Sequence, residues 1–212
     1  ASDVYKRQFL KSDDDTEDEI KSKENKTDVI LVDKNFKYSH IYSYHLDEDT
    51  VTKVTSGNYS VNSFDYSPNG KKIIFSHQDD TNINTGFINT DISVIDSDGN
   101  NLKILVDRPG RDGNPIFSGD GSKFAFISSG GKQESIGLGD VFVYDLKNDE
   151  IKKLANTFNR SSNIISWTSD DENLIISESV KTTGQLLLLP TNGDGYISWS
   201  KEKYNNGVIS SV

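Results

Sequence analysis

Three segments of the chain are variations on one phrase, and their spacing limits the fold more than any other feature. "SFDYSPNGKKIIFSHQ" begins at Ser63, "IFSGDGSKFAFISS" at Ile116 and "SWTSDDENLIISES" at Ser166. With Tyr66 placed over Phe117 and Trp167, the spacings are 51 and 50 residues. An apolar strand follows each turn: Ile73-Ile74-Phe75, Phe124-Ala125-Phe126 and Leu174-Ile175-Ile176. A second phrase repeats in step, as "HIYSYH" at His40, "DISVID" at Asp91, "DVFVYD" at Asp140 and "QLLLLP" at Gln185. Eleven residues after each of these starts another strand begins, at Val51, Leu102, Ile151 and Tyr196.

Each complete unit therefore holds four strands, A to D, joined as consecutive hairpins. A four-stranded antiparallel unit repeating about every 50 residues is the signature of a β-propeller blade. One such sheet cannot bury both faces alone, whereas stacked sheets can. The expected class is all-β: about three complete blades, with partial blades at both ends. The leading partial blade would hold a B strand at Val29 to Val32 and the C–D pair from His40. The trailing one would begin an A strand at Val208 to Val212. Turn chemistry agrees. In "SPNG" Pro68 supplies the fixed φ of a turn's second position, and Gly70 takes positive φ into strand B. Gly121 holds that place in the second copy and Asp171 in the third. A glycine at position 171 is then expected to be neutral or stabilising, by about 0.5–1 kcal/mol.

Charge narrows the choice of partners. Against 23 Lys plus Arg stand 33 Asp plus Glu, a net charge of −10. That excludes a generic nucleic-acid surface, which needs a basic stripe, and docking on an anionic membrane. No apolar run approaches the roughly 20 residues of a membrane helix, so no membrane insertion is expected. Cysteine and methionine are both absent. The opening "ASDVYKRQ", residues 1–8, resembles translated sequencing-adapter sequence found on reading frames assembled from environmental DNA. Any signal peptide would then be out of view, and either an exported or a cytoplasmic location stays open.

Residues 1–27 are expected to form a disordered charged tail, and residues 28–212 an incomplete propeller. Six of the seven residues from Asp13 to Glu19 are carboxylates. Such a run repels itself and has little to bury. A role in binding calcium or a basic partner is the alternative to a solvated tail.

No catalytic, cofactor-binding or metal-ligating residue is assigned, and no cofactor is expected. No Gly-x-Ser-x-Gly elbow occurs, and Ser128-Ser129 and Ser161-Ser162 sit in loops. Of the three histidines, His40 and His45 lie at odd spacing on one strand and so face opposite ways. His77 has no clustered partner in sequence. "DSDGNN" from Asp96 lacks the ligand pattern of an EF-hand and reads as a C–D turn. "GLGD" at Gly137 lacks the strand–helix context of a phosphate loop. Asn25, Asn58 and Asn159 start glycosylation sequons, near the expectation for an Asn-rich chain. The B–C connections, placed at 77–90, 128–139 and 178–184, vary in length on the side away from the short turns. Variable loops on a rigid scaffold are where binding usually resides.

"YSPNGKKIIF" with "DISVIDSDGNNLKILV" resembles the repeat of TolB-type propellers, an aromatic-Ser-Pro-Asp-Gly turn followed by Asp-Ile-Tyr-like strands and an Asp-Gly turn. Very similar blades form the propeller of prolyl-oligopeptidase-family serine peptidases, and "GQLLLLPTNGDG" from Gly184 resembles the peptidase version. Gly119 and Ser169 replace the turn proline, and the third copy lacks the turn glycine. The resemblance implies a closed ring of six to eight blades and a non-catalytic role. Two readings follow from it. One is the propeller that restricts access to a hydrolase domain in the same parent chain, with a peptide as substrate. The other is a TolB-like propeller that binds a protein partner in the periplasm or at the cell surface. Oligogalacturonate lyase, of related architecture, places histidines around a metal, and nothing in this chain clusters to match.

Overall fold

The computed structural model describes residues 6–27, 37–134, 138–159 and 162–198. Strand β1 (Lys6–Ser12), helix α1 (Glu17–Glu24), β2 (Ser39–His45) and β3 (Thr50–Lys53) come first. Three four-stranded units follow. The first is β4 (Ser60–Tyr66), β5 (Lys72–Gln78), β6 (Asn89–Asp96) and β7 (Lys103–Val106), with a one-turn helix α2 (Thr85–Ile88) between β5 and β6. The second is β8 (Gly110–Phe117), β9 (Lys123–Ser128), β10 (Asp140–Asp145) and β11 (Glu150–Lys153). The third is β12 (Asn163–Trp167), β13 (Asn173–Val180), β14 (Thr183–Pro190) and β15 (Ile197–Ser198).

Every pairing inside a unit is antiparallel and between sequence neighbours, so the expected A-B-C-D meander is present three times. The A strands end at Tyr66, Phe117 and Trp167, the three aromatics that align the repeat. Gly70 and Gly121 take φ of 69° and 72°, and Asp171 takes 56° in the same place. The D strands are the exposed outer edge: β3 and β11 bury none of their residues, and β7 only Val106.

The core lies between sheets, in three layers. Ile73, Phe75 and Ile95, with Val61 of the same unit, meet Ile41 of β2 and Val54 just after β3. Ile74, Ile92 and Val106 meet Phe117, Phe124, Phe126, Phe142 and Tyr144 of the second unit. Ala125, Ile127, Val141 and Val143 meet Ile164, Leu174, Ile176, Leu187 and Leu189 of the third. Neighbouring residues of one strand thus enter different layers, as the two-residue period of a strand requires. The middle layer is aromatic, with the Phe124 and Tyr144 rings stacked at 4.9 Å. The last layer is aliphatic.

Inner strands of adjacent units are laced by side-chain bonds. Asp65 accepts the Phe117 N–H at 2.8 Å, and the Trp167 indole donates to the Ile116 carbonyl at 3.1 Å. Burial raises the Asp65 carboxyl above its usual range. A short parallel bridge, Asn89 to Gly110 and Thr90 to Arg111, also joins β6 to β8. Each A strand carries a register break, at 61/63, 113/116 and 164/166, of the kind that bends a strand and re-aims its side chains.

Residues 6–27 differ from the expected disordered tail. β1 pairs with β2 over its whole length, from Lys6 opposite His45 to Ser12 opposite Ser39, while β3 takes the other edge of β2. Lys6, Arg7 and Gln8 belong to the adapter-like opening and still contribute to this pairing. The acidic run starts a helix because Thr16 and Glu19 form a capping box, and Glu17, Asp18 and Glu19 occupy the favourable first turn. Lysines offset the repulsion: Lys11–Asp14 at 2.7 Å, Lys53–Asp13 at 2.7 Å, and Lys37 on Glu19. The Lys37 ammonium and the Thr16 amide hold the Glu19 carboxyl down at about 2. The expected strands at Val29–Val32 and Val208–Val212 lie outside the described residues. The third B–C connection is shorter than expected, because β13 and β14 pair as far as Val180 opposite Thr183, with Lys181 at φ 56° in the turn.

Candidate binding face

In an antiparallel meander the end of each B strand, the start of each C strand and the start of each A strand share one side. The loop from Asp79 to Ile88 rises there from β5. The buried Gln78 amide holds it, donating to the Asp80 carbonyl at 2.9 Å and the Asn82 carbonyl at 3.1 Å. Asp80 accepts the Asn82 N–H and the Thr85 hydroxyl, each at 2.9 Å. Gly86 closes the loop over this amide, where a Cβ would stand 2.6 Å from Gln78 Oε1. So fastened, the loop presents Ile83 and Phe87 to solvent, 74% and 52% exposed.

Beneath them lies a cavity of about 670 Å³ between the starts of β4 and β8. Its wall is made of hydroxyls and amides, among them Asn62, Gln78 and Thr90, with Ile83, Phe87 and Ile127 as the apolar part. Among the described residues of its wall, Arg111 is the charged one. The Arg111 Nη2 lies 3.9 Å from where a Cβ on Gly139 would stand, while Gly139 leaves room for Ile127, whose Cγ2 is 2.6 Å from that point. A second cavity, of about 740 Å³, opens on the opposite, turn side and is lined in part by Arg7, His45, Lys53, Pro68 and Asp98.

Beside the first cavity a charged pair is sealed between the first and second units. The Arg108 guanidinium donates to both oxygens of the fully buried Asp112, at 2.9 and 3.2 Å, and to Ser128 Oγ at 2.7 Å. It also lies over the Phe142 ring at 4.8 Å. Thr90 completes the joint, donating to the Asp112 carbonyl at 2.7 Å and accepting its N–H at 3.0 Å.

Asp91 and His77, opposite one another on β6 and β5, form a second buried polar group. Asp91 accepts the Arg108 N–H, while its Oδ1 is buried with no hydrogen-bond partner among the described residues. Burial, with the charges of Asp107, Asp79 and Asp112, pushes its carboxyl up to about 6. Burial lowers His77, which is therefore neutral at neutral pH. His77 Nε2 lies 2.8 Å from Ser93 Oγ, and Asp79 lies 3.7 Å from Nδ1. The order Asp–His–Ser resembles a catalytic triad only on paper. Ser93 is 1% exposed within a sheet, and the Asp79 contact exceeds hydrogen-bond length.

The other sequence candidates stay separate. His40 is buried against Thr55 and Tyr59, and His45 contacts Thr52 near the sheet edge. Among the described residues no group of three or more His, Asp or Glu side chains could hold a metal ion, and no helix is long and apolar enough to cross a membrane. Gly137, the first residue of "GLGD", lies outside the described residues. Sequence reasoning missed Arg108, Arg111, Asp112 and the perturbed Asp91. One signal was available: an aspartate opens the apolar C strand in two of four copies, Asp91 and Asp140. Asp140 is matched by Lys153 at 2.7 Å, whereas no ion pair forms at Asp91 among the described residues.

Interblade apolar layers, exposed D edges and laced inner strands define stacked β-propeller blades, and these resemble the blades of TolB-like and prolyl-oligopeptidase-family propellers. The chain is 26% identical over 160 residues to the dipeptidyl-peptidase 5 of Aspergillus oryzae, a match covering 70% of this chain and 22% of that protein. It thus spans about a fifth of the relative's length. Among solved structures it is similar to TolB from Acinetobacter baumannii, with TM-score 0.58 and 19% identity over 76% of this chain and 37% of that one. It is also similar to Porphyromonas gingivalis dipeptidyl peptidase 4, with TM-score 0.54 and 11% identity over 81% of this chain and 30% of that one. No family model matches the chain.

Proposed function

We propose that this chain is a non-catalytic propeller of a prolyl-oligopeptidase-family serine peptidase, restricting access to a hydrolase domain elsewhere in the parent protein. The observation that carries this reading is the alignment of 160 residues with a dipeptidyl-peptidase, which leaves most of that relative's length to other parts. Ser93, which His77 contacts, is 1% exposed within its sheet, so this reading assigns the pair a place in the packing. The deciding experiment is to read the native locus beyond residue 212 and label its product with a serine-reactive fluorophosphonate. A Gly-x-Ser-x-Gly elbow followed by Asp and then His, with labelling of its serine, is the expected result. A stop codon soon after ring closure would overturn it.

A second reading, a TolB-like propeller acting through protein contacts, is favoured by the TolB likeness and by the exposed apolar loop at Ile83 and Phe87. Fold alone does not separate the two.

A further inference from the structure

The cavity under Ile83 and Phe87 differs in charge from the rest of the molecule. The chain carries 33 acidic residues against 23 basic ones, yet none of the fifteen residues lining this cavity is acidic. Its charged group is Arg111, which makes no ion pair among the described residues; only its backbone is engaged, with Ser129, at 2.9 Å each way. A guanidinium without a carboxylate, set in a wall of hydroxyls and amides, matches the planar geometry of an incoming carboxylate. Acidic residues elsewhere on the surface repel the same anion, so binding is focused at this spot. Phe87 and Ile83 at the rim add an apolar contact beside the charge.

The geometry points to a subsite for a peptide carboxylate, held by Arg111 with the neighbouring apolar side chain against Phe87. The choice of a peptide rests on the peptidase reading above; the choice of a carboxylate rests on Arg111 and the acid-free wall. The carboxylate could be a Glu or Asp side chain or a peptide C-terminus, and matched probes separate these. A sugar acid would satisfy Arg111 and the hydroxyls and would pack its ring face on Phe87, so it is the competitor against which the peptide is tested.

The test is fluorescence-anisotropy titration of the full chain with dye-labelled Ala-Phe-Glu and Ala-Phe-Gln, each as free acid and as amide, and with oligogalacturonate as competitor. The expected result is at least about tenfold tighter binding of peptides that carry a carboxylate, with the preference falling as salt rises. Arg111→Gln should remove the preference, and Phe87→Ala should weaken all four peptides alike. Equal binding of the four, binding of none, an unchanged preference in Arg111→Gln, or tighter binding of the sugar acid would each overturn the proposal. A carboxylate preference in a protein whose locus encodes no hydrolase would leave this subsite standing and remove the peptidase reading.

Discussion

The carboxylate of Asp171 caps the turn of the preceding blade by accepting the N–H of Gly119 at 2.7 Å and that of Asp120 at 2.9 Å. One blade earlier the same two places hold Gly121 and Pro68, where a Cβ on the glycine would stand 3.2 Å from the proline ring. The two departures from the repeat, glycine for proline at 119 and aspartate for glycine at 171, therefore compensate for one another. Proline has no N–H to offer and needs a bare neighbour, whereas glycine offers an N–H that the aspartate accepts. This reverses the expectation that glycine at 171 would be harmless. Relief of the left-handed backbone is worth about 0.5–1 kcal/mol, but hydrogen bonds to a charged group are worth about 1.5–3 kcal/mol when fully formed. Asp171→Gly and Gly119→Pro should each lower stability by about 1 kcal/mol, after discounting for the exposed site. The double variant should lose less than the sum of the two. Urea melts of all four proteins measure the coupling, and strict additivity would contradict it.

Asp91 should make stability fall with rising pH. Its folded carboxyl titrates at about 6, above the unfolded value, so the folded state holds the proton more tightly. Its contribution is complete below the unfolded pKa, near 4, and is lost as pH rises through about 6. Asp91→Asn can still accept the Arg108 N–H and carries no charge. It should be more stable than the parent at pH 7.5, by at most about 3 kcal/mol, and the gain should vanish by pH 4. Thermal melts across this range check both the sign and the window.

Arg108→Gln should be among the most damaging single changes. It leaves the fully buried Asp112 carboxylate without its cation, a loss of about 3–5 kcal/mol where a buried pair is broken from one side. Adding Asp112→Asn should restore much of the loss, because the orphaned charge is gone. Equal stability of the single and double variants would show that Arg108 acts through Phe142 and Ser128 instead.

Gly86→Ala tests how the binding loop is held. The new methyl would displace the Gln78 amide and free the Asp80 and Asn82 carbonyls. Hydrogen exchange should speed up across residues 79–88, with a change of less than about 1 kcal/mol in global stability. Protection unchanged in that loop would mean that another contact fixes it.

The strands of the three units were legible in sequence to within about three residues, because turn residues and the alternating pattern act locally. Tyr66, Phe117 and Trp167 end their strands, and Gly70, Gly121 and Asp171 share one backbone conformation, as the aligned repeat implies. The N-terminal helix was not read, because summed charge outweighed the Thr16–Glu19 box, and the lysine that matches Glu19 is Lys37, beyond the helix. The binding face was legible only as a set of variable loops. Arg108 meets Asp112 across a bend and Ser128 across a strand, and Arg111 stands out as the charged group of a cavity whose described lining holds no acid, a property of space with no trace in the linear order.

The alternation along β9 has a consequence for how such a chain can vary. Phe124 and Phe126 belong to one layer, Ala125 and Ile127 to the next. A single strand thus spells two interleaved words, each read by a different neighbour. Substituting one letter disturbs one reader. Deleting one residue exchanges the words, driving two phenyl rings into the slots shaped for a methyl and a branched aliphatic chain while emptying the aromatic side. Such a sheet tolerates edits of spelling and is intolerant of edits of frame, so changes of length are expected to collect in the connections, as they do at 79–88 and 129–139.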